Sequence, residues 1–84
     1  MFTAGSVMSI KIRFFASLAE SVGRREVDCP HAPDMTVGSV WRELNGGQPL
    51  PSGVLCAVNH TYCELQQILN DGDEVAYFPP VTGG

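Results

Sequence analysis

Eighty-four residues supply one domain's worth of chain, and a chain this short buries only about 60–65% of its unfolded surface, so a deep private cleft is not expected. With 44% hydrophobic and 17% charged residues, the composition is that of a folded soluble domain and disfavours both disorder and membrane classes. Nine acidic residues outweigh five basic ones for a net charge of −4. The bases Lys11, Arg13, Arg24, Arg25 and Arg42 form no run beyond a pair, which excludes the clustered cations that nucleic-acid binding needs.

The first seven residues carry no Lys or Arg and lack the apolar stretch of a signal peptide. Residues 1–7 therefore read as a disordered leader or upstream-start remnant, with Met8 a candidate natural start. Ser9 to Ala16 reads as a strand: Ile10, Ile12 and Phe14 share one face and Lys11 and Arg13 the other, at a period of two. Phe15 breaks this pattern by putting an aromatic on the polar side. Ser17-Leu18-Ala19-Glu20 has capping-box spacing for a short helical turn that Gly23 ends.

Arg24 to Cys29 predicts a second, hairpin-paired strand with Arg25, Val27 and Cys29 on one face, stopped by Pro30 and Pro33. The clearest helix follows. Thr36 is its candidate N-cap, Val37, Val40, Trp41 and Leu44 fall at i, i+3, i+4 and i+7, and Gly46-Gly47 closes it. Trp41 is assigned to the core.

Gln48 to Gly53 is a Pro/Gly-rich loop. Val54 to Asn59, apolar on both faces, predicts a buried central strand. Asn59-His60-Thr61 predicts a turn, Tyr62 to Leu65 a short edge strand, and Gln66 to Leu69 a further half-turn. Asn70-Asp71-Gly72-Asp73 is a strong turn signal, with Gly72 able to take a positive φ. Glu74 to Phe78 is the last strand, Val75 and Tyr77 alternating with Ala76 and Phe78. One amphipathic helix covers one sheet face, so these elements predict a two-layer α+β domain over residues 8–78.

Cys29, Cys56 and Cys63 are odd in number and no pair has CxxC spacing, so they read as reduced thiols of a cytoplasmic protein. Each reads as a small core or strand residue, with Cys63, beside the predicted turn, the one to test for reactivity. His31 and His60 stand apart and read as surface residues, and no metal-ligand spacing is present. No phosphate-binding glycine loop occurs. Ser, His and Asp are scattered without the neighbouring arrangement of a nucleophile and its base.

Past Phe78 the sequence runs Pro79-Pro80-Val81-Thr82-Gly83-Gly84. The prolines favour extended backbone and block strand pairing, while the glycines have the widest backbone freedom. Such a segment, spanning at most ~20 Å, suits a group that leaves its own domain and enters a narrow site on another protein. Frayed termini are also common, and Gly-Gly alone is weak evidence.

Four stretches together carry a family resemblance: Ile12-Arg13-Phe14-Phe15-Ala16, Ala57-Val58-Asn59, Asp71 to Phe78, and Pro79 to Gly84. They resemble the small subunit of molybdopterin synthase, a sulfur-carrier family, and the resemblance extends over Ser9 to Gly84. It implies a ubiquitin-like β-grasp fold, with a mixed sheet of about five strands packed on one main helix in two layers. It also implies that Gly84 is the working residue, its carboxylate adenylated, converted to a thiocarboxylate and used to donate sulfur to a cyclic pyranopterin phosphate. Pro79, Pro80, Val81, Thr82 and Gly83 would then be the tail received by the partner.

The implied partners are a large catalytic synthase subunit, in a heterotetramer with two copies of each chain, an adenylating enzyme that consumes ATP, and a sulfur-donor protein. No cofactor, metal, nucleic acid or membrane is expected on this chain. Phe15 and Phe78 either fill a second minor core or form an apolar patch that docks a partner. Three other readings remain: a sulfur carrier for thiazole synthesis, a ubiquitin-like modifier, and an interaction domain with an inert tail. His60 to Glu64 departs from the family pattern, away from the tail.

Overall fold

The computed structural model describes residues 9–80. The chain runs β1 (Ser9–Phe14), α1 (Ser17–Val22), β2 (Glu26–Pro30), α2 (Val37–Leu44), β3 (Leu55–Val58), β4 (Thr61–Cys63) and β5 (Glu74–Phe78). The five strands form one sheet in the order β2-β1-β5-β3-β4. β1 and β5 are parallel neighbours at its centre, with Ile12 opposite Val75 and Phe14 opposite Tyr77. The other three pairings are antiparallel. With α2 packed across one face, this is the expected two-layer β-grasp arrangement.

Alternation in β1 and β5 works as the period of two requires. Ile10, Ile12, Phe14, Val75 and Tyr77 are all buried, while Lys11 and Arg13 are exposed on the opposite face. Against them α2 lays Val37, Val40 and Trp41, all buried, with Leu44 partly buried at the edge of the core. Phe14, Trp41 and Tyr77 form the aromatic centre. The Trp41 ring meets Tyr77 edge-on at 5.1 Å and Phe14 at 5.8 Å, and Phe14 stacks on Tyr77 at 5.6 Å. The Tyr77 hydroxyl, deep in this cluster, donates to the Val37 carbonyl at 2.6 Å and so ties the central strand to the first turn of α2.

Thr36 caps α2 as expected, its Oγ1 accepting from the Ser39 N–H at 3.1 Å. Ser39 Oγ returns the bond by accepting from the Thr36 N–H at 2.9 Å. The capping box expected at Ser17 and Glu20 does not form. Ala16, at φ 51, occupies the cap and offers no side-chain oxygen, and Ser17 is already inside α1. The first N–H groups of that helix instead bond to the Phe15 and Ala16 carbonyls, at 3.1 and 3.0 Å. Gly23, left-handed at φ 85, ends α1 and returns its N–H to the Ala19 carbonyl.

Four further expectations are corrected. β2 begins at Glu26 and includes Pro30, which an outer strand tolerates because the missing N–H has no ladder to serve. β3 is not the central strand: it lies one place from the edge, and β5 holds the centre. β4 starts at Thr61, because Asn59 and His60 both adopt positive φ (50 and 71) and close a two-residue turn that pairs Val58 with Thr61. Gln66 to Leu69 makes no half-turn of its own. The turn lies one step earlier, with the Gln67 N–H on the Glu64 carbonyl, after which Ile68 bridges to Thr36 and Leu69 is buried.

The acidic turn before β5 is built as expected, with Gly72 at φ 86. Its carboxylates are structural. Asp71 accepts from the Ser9 N–H, and Asp73 accepts from the Asn70 N–H and the Asn59 side-chain amide.

Candidate functional site

The parallel centre of the sheet delivers two chain ends to the same edge of the molecule. β1 leaves at Phe14 toward Phe15, β5 leaves at Phe78 toward Pro79 and Pro80, and the Phe15 N–H bonds to the Tyr77 carbonyl at 3.1 Å. Because Phe14 and Tyr77 point inward, Phe15 and Phe78 fall on the face opposite α2. Their rings stack at 4.8 Å with an interplanar angle of 12°. Such a pair contributes about 0.5–1.5 kcal/mol beyond its buried area.

Two residues not singled out from the sequence complete this surface. Leu55 lies opposite Phe78 in the β3–β5 ladder and is 40% exposed. Tyr62, on β4, is 69% exposed with its ring 6.1 Å from that of Phe78. Phe15, Phe78, Leu55 and Tyr62 thus form a contiguous apolar patch. Exposed apolar clusters of this kind are a feature of contact surfaces. Strand register was the missing signal: the β3–β5 pairing sets Leu55 opposite Phe78, and the Asn59-His60 turn sets the β3–β4 pairing that brings Tyr62 alongside.

Beside the patch lies a charged rim. Arg13 Nε is 3.0 Å from Glu74 Oε2 and 3.2 Å from Glu26 Oε2, and Lys11 Nζ lies 3.9 Å from the same Glu26 oxygen. These groups are largely solvated, so their contribution to stability is small. At an interface they would fix orientation instead.

The three cysteines are free thiols. Cys56 and Cys63 face each other across β3 and β4 with their sulfurs 3.9 Å apart, and Cys56 Sγ donates to the Cys63 carbonyl at 3.3 Å. Burial, reinforced by neighbouring Cys63, pushes the Cys56 thiol from its ordinary 9.0 up to about 12. Burial also raises the thiol of Cys29 and, strongly, the phenol of Tyr77. None of these three groups is a thiolate or phenolate at neutral pH.

The sign of the stability effect follows from the raised folded value of Cys56. Stability is fully present below about pH 9 and declines as pH rises toward 12, because the unfolded chain then releases a proton that the folded chain retains. Each such proton contributes about 1.4 kcal/mol per pH unit. A denaturation series above pH 9 should show this decline, and Cys56→Ala should flatten its slope whatever it does to absolute stability.

His31 is not the surface residue expected. Its half-buried ring donates from Nε2 to the Leu69 carbonyl at 2.9 Å, which assigns the tautomer, while His60 is exposed. Among the described residues no group of three or more His, Cys, Asp or Glu is placed to hold a metal, and no helix is long and apolar enough to cross a membrane. Pro79 and Pro80 are placed at the end of β5, beside the patch. Val81, Thr82, Gly83 and Gly84, like the predicted leader 1–7 and Met8, lie outside the described residues.

Comparison with known proteins gives a consistent set of similarities. Residues 12–84 match the model of the ThiS family. The chain is 40% identical over 82 residues to the molybdopterin synthase sulfur carrier subunit of Escherichia coli, covering 89% of this chain and 99% of that protein. It is 32% identical to small archaeal modifier protein 3 of Haloferax volcanii, covering 92% of this chain and all of that protein. Among solved structures, the crystal structure of small archaeal modifier protein 1 of the same organism superposes with a TM-score of 0.74 at 30% identity, covering 87% of this chain and 98% of the other.

Proposed function

The chain belongs to the ThiS family, and from that premise we propose that it is the sulfur carrier subunit of a molybdopterin synthase, with Gly84 as the carrying residue. The observation that weighs most is the 40% identity to the Escherichia coli sulfur carrier subunit, which spans nearly the whole of both chains. The patch and the prolines agree with it. They support it because Pro79 and Pro80 follow directly on Phe78, and an exposed apolar surface suits a partner protein.

The chemistry needs two activations. A carboxylate resists substitution because oxide is a poor leaving group, so an adenylating enzyme first couples Gly84 to the α-phosphorus of ATP and releases pyrophosphate. The outer sulfur of a donor protein's persulfide then attacks the acyl carbon and AMP departs, leaving an acyl disulfide; a second thiol attacks the donor-side sulfur, forms a disulfide with it and releases the thiocarboxylate. In the large synthase subunit that sulfur passes to the cyclic pyranopterin phosphate, and Gly84 returns as a carboxylate. Two deliveries complete a dithiolene, which fits a heterotetramer with two copies of each subunit.

In this division of labour the carrier holds no cofactor, ATP is bound and consumed by the activating partner, and the cycle runs in the cytoplasm. Phe15, Phe78, Leu55 and Tyr62 dock the partner. Pro79, Pro80, Val81, Thr82 and Gly83 thread the terminal residue into its active site.

Reconstitution with a large synthase subunit, the activating enzyme, a sulfur donor and the pyranopterin precursor tests the proposal. The full chain should support molybdopterin formation, and a chain lacking Gly84 should fold equally well and support none. Equal activity of the two chains would refute the role of Gly84.

A second reading, a ubiquitin-like protein modifier, is favoured by the similarity to the archaeal modifier proteins. It starts from the same adenylated glycine but ends in an isopeptide bond to a lysine. Covalent conjugates of this chain in cell extracts, lost with Gly84, would distinguish it from a carrier alone.

A further inference from the structure

We infer that Gly53 is a positioning residue for the reactive tail, an inference that rests on the carrier reading above. Leu55 pairs with Phe78 in the antiparallel β3–β5 ladder, and continuing that register two residues outward sets Gly53 opposite Pro80. The two are in close contact. A Cβ added to Gly53 would lie 3.1 Å from Pro80 Cβ and 3.3 Å from Pro80 Cγ. Gly53 also has φ +85, a conformation that side-chain-bearing residues rarely adopt.

The physical need for this contact comes from the prolines. Pro79 and Pro80 have no N–H, so neither can donate to the β3–β5 ladder that holds the chain as far as Phe78. Beyond Phe78 the direction of the backbone must be set by packing. The bare backbone of Gly53 lets the Pro80 ring seat against it, which fixes the direction in which the chain leaves the sheet at Pro80. A partner that docks on the aromatic patch meets the chain at that exit from Pro80. A displacement of about 1 Å at a reacting group can cost on the order of a hundredfold in rate.

The test pairs two substitutions that carry the same backbone strain. Gly53→Ala introduces both an unfavourable φ and the collision with Pro80. Gly47→Ala introduces a matching strain at φ +86, but nothing lies within 4 Å of its added Cβ. Both variants should lose thermal stability, Gly53→Ala the more by the cost of that collision.

In a single-turnover adenylation assay with the activating enzyme, Gly53→Ala should slow the step at saturation by on the order of a hundredfold. Its dissociation constant should stay within about twofold of the parent, because the docking patch is untouched, and Gly47→Ala should keep the parent rate. Independently of activity, a nuclear Overhauser contact between residue 53 and Pro80 should be present in the parent and in Gly47→Ala. Equal rates for the two variants, or no such contact in the parent, would overturn the inference. A parent chain that is never adenylated while still showing that contact would refute the carrier reading itself and leave Gly53 without a reaction to serve.

Discussion

Trp41→Ala is expected to remove a large share of the domain's stability. Trp41 is 4% exposed and fills the space between α2 and the paired central strands, touching both Phe14 and Tyr77. Truncating a buried tryptophan costs about 3–5 kcal/mol, part lost transfer energy and part cavity. At roughly 0.05–0.15 kcal/mol per residue, a domain of this size holds only about 4–12 kcal/mol in total. For such a domain each kcal/mol corresponds to about 4–8 °C in melting temperature, so a fall of about 12–40 °C should appear in thermal melts followed by circular dichroism. A fall under about 5 °C would mean that α2 is not clamped to the sheet through this residue.

The second large effect concerns binding rather than folding. Phe78→Asp should weaken association with the large synthase subunit by roughly 2–4 kcal/mol, between thirtyfold and a thousandfold, which is the range for the central aromatic of an interface. Phe78 stacks on Phe15, faces Leu55 across the ladder and has Tyr62 beside it, so a carboxylate there removes the middle of the patch and puts a charge in its place. Because the ring lies on the face away from α2, the aromatic centre of the core is untouched. Binding measured by calorimetry on folded protein separates the two roles of the stack. A variant that loses stability yet binds normally would make Phe15 and Phe78 a minor core and not a docking surface.

How far the sequence could be read depended on whether its physics was local. Period-two alternation located β1 and β5, and the i, i+3, i+4 spacing of Val37, Val40 and Trp41 located α2, because each pattern reports a face that must be buried. The Gly72 turn was legible for the same local reason. In β3, apolar residues on both faces do not mean burial on both. Cys56 does face the core, but Leu55 is on the open side, where its apolarity serves the patch.

At Ser17, spacing alone cannot show that Ala16 takes a positive φ and enters the cap position first. His31 carries no local mark of burial because its partner, the Leu69 carbonyl, is thirty-eight residues away. The candidate site divided along the same line. Phe15 stood out by breaking an alternation, and the proline-glycine segment stood out by composition. Leu55, Tyr62 and Gly53 carry no local signature, and only strand register brings them to Phe78 and Pro80.

The central claim is that this chain's reactivity resides in the carbonyl of Gly84, borrowed and recharged by other proteins. Its most direct test is the intact mass of the chain after incubation with its activating enzyme, ATP, a persulfide donor and a thiol. The account predicts a species heavier by the exchange of one oxygen for sulfur, with the added sulfur confined to Gly84 in the fragment spectrum and absent when ATP is withheld. A mass that never changes under these conditions, or sulfur found on Cys63 instead of Gly84, would contradict it.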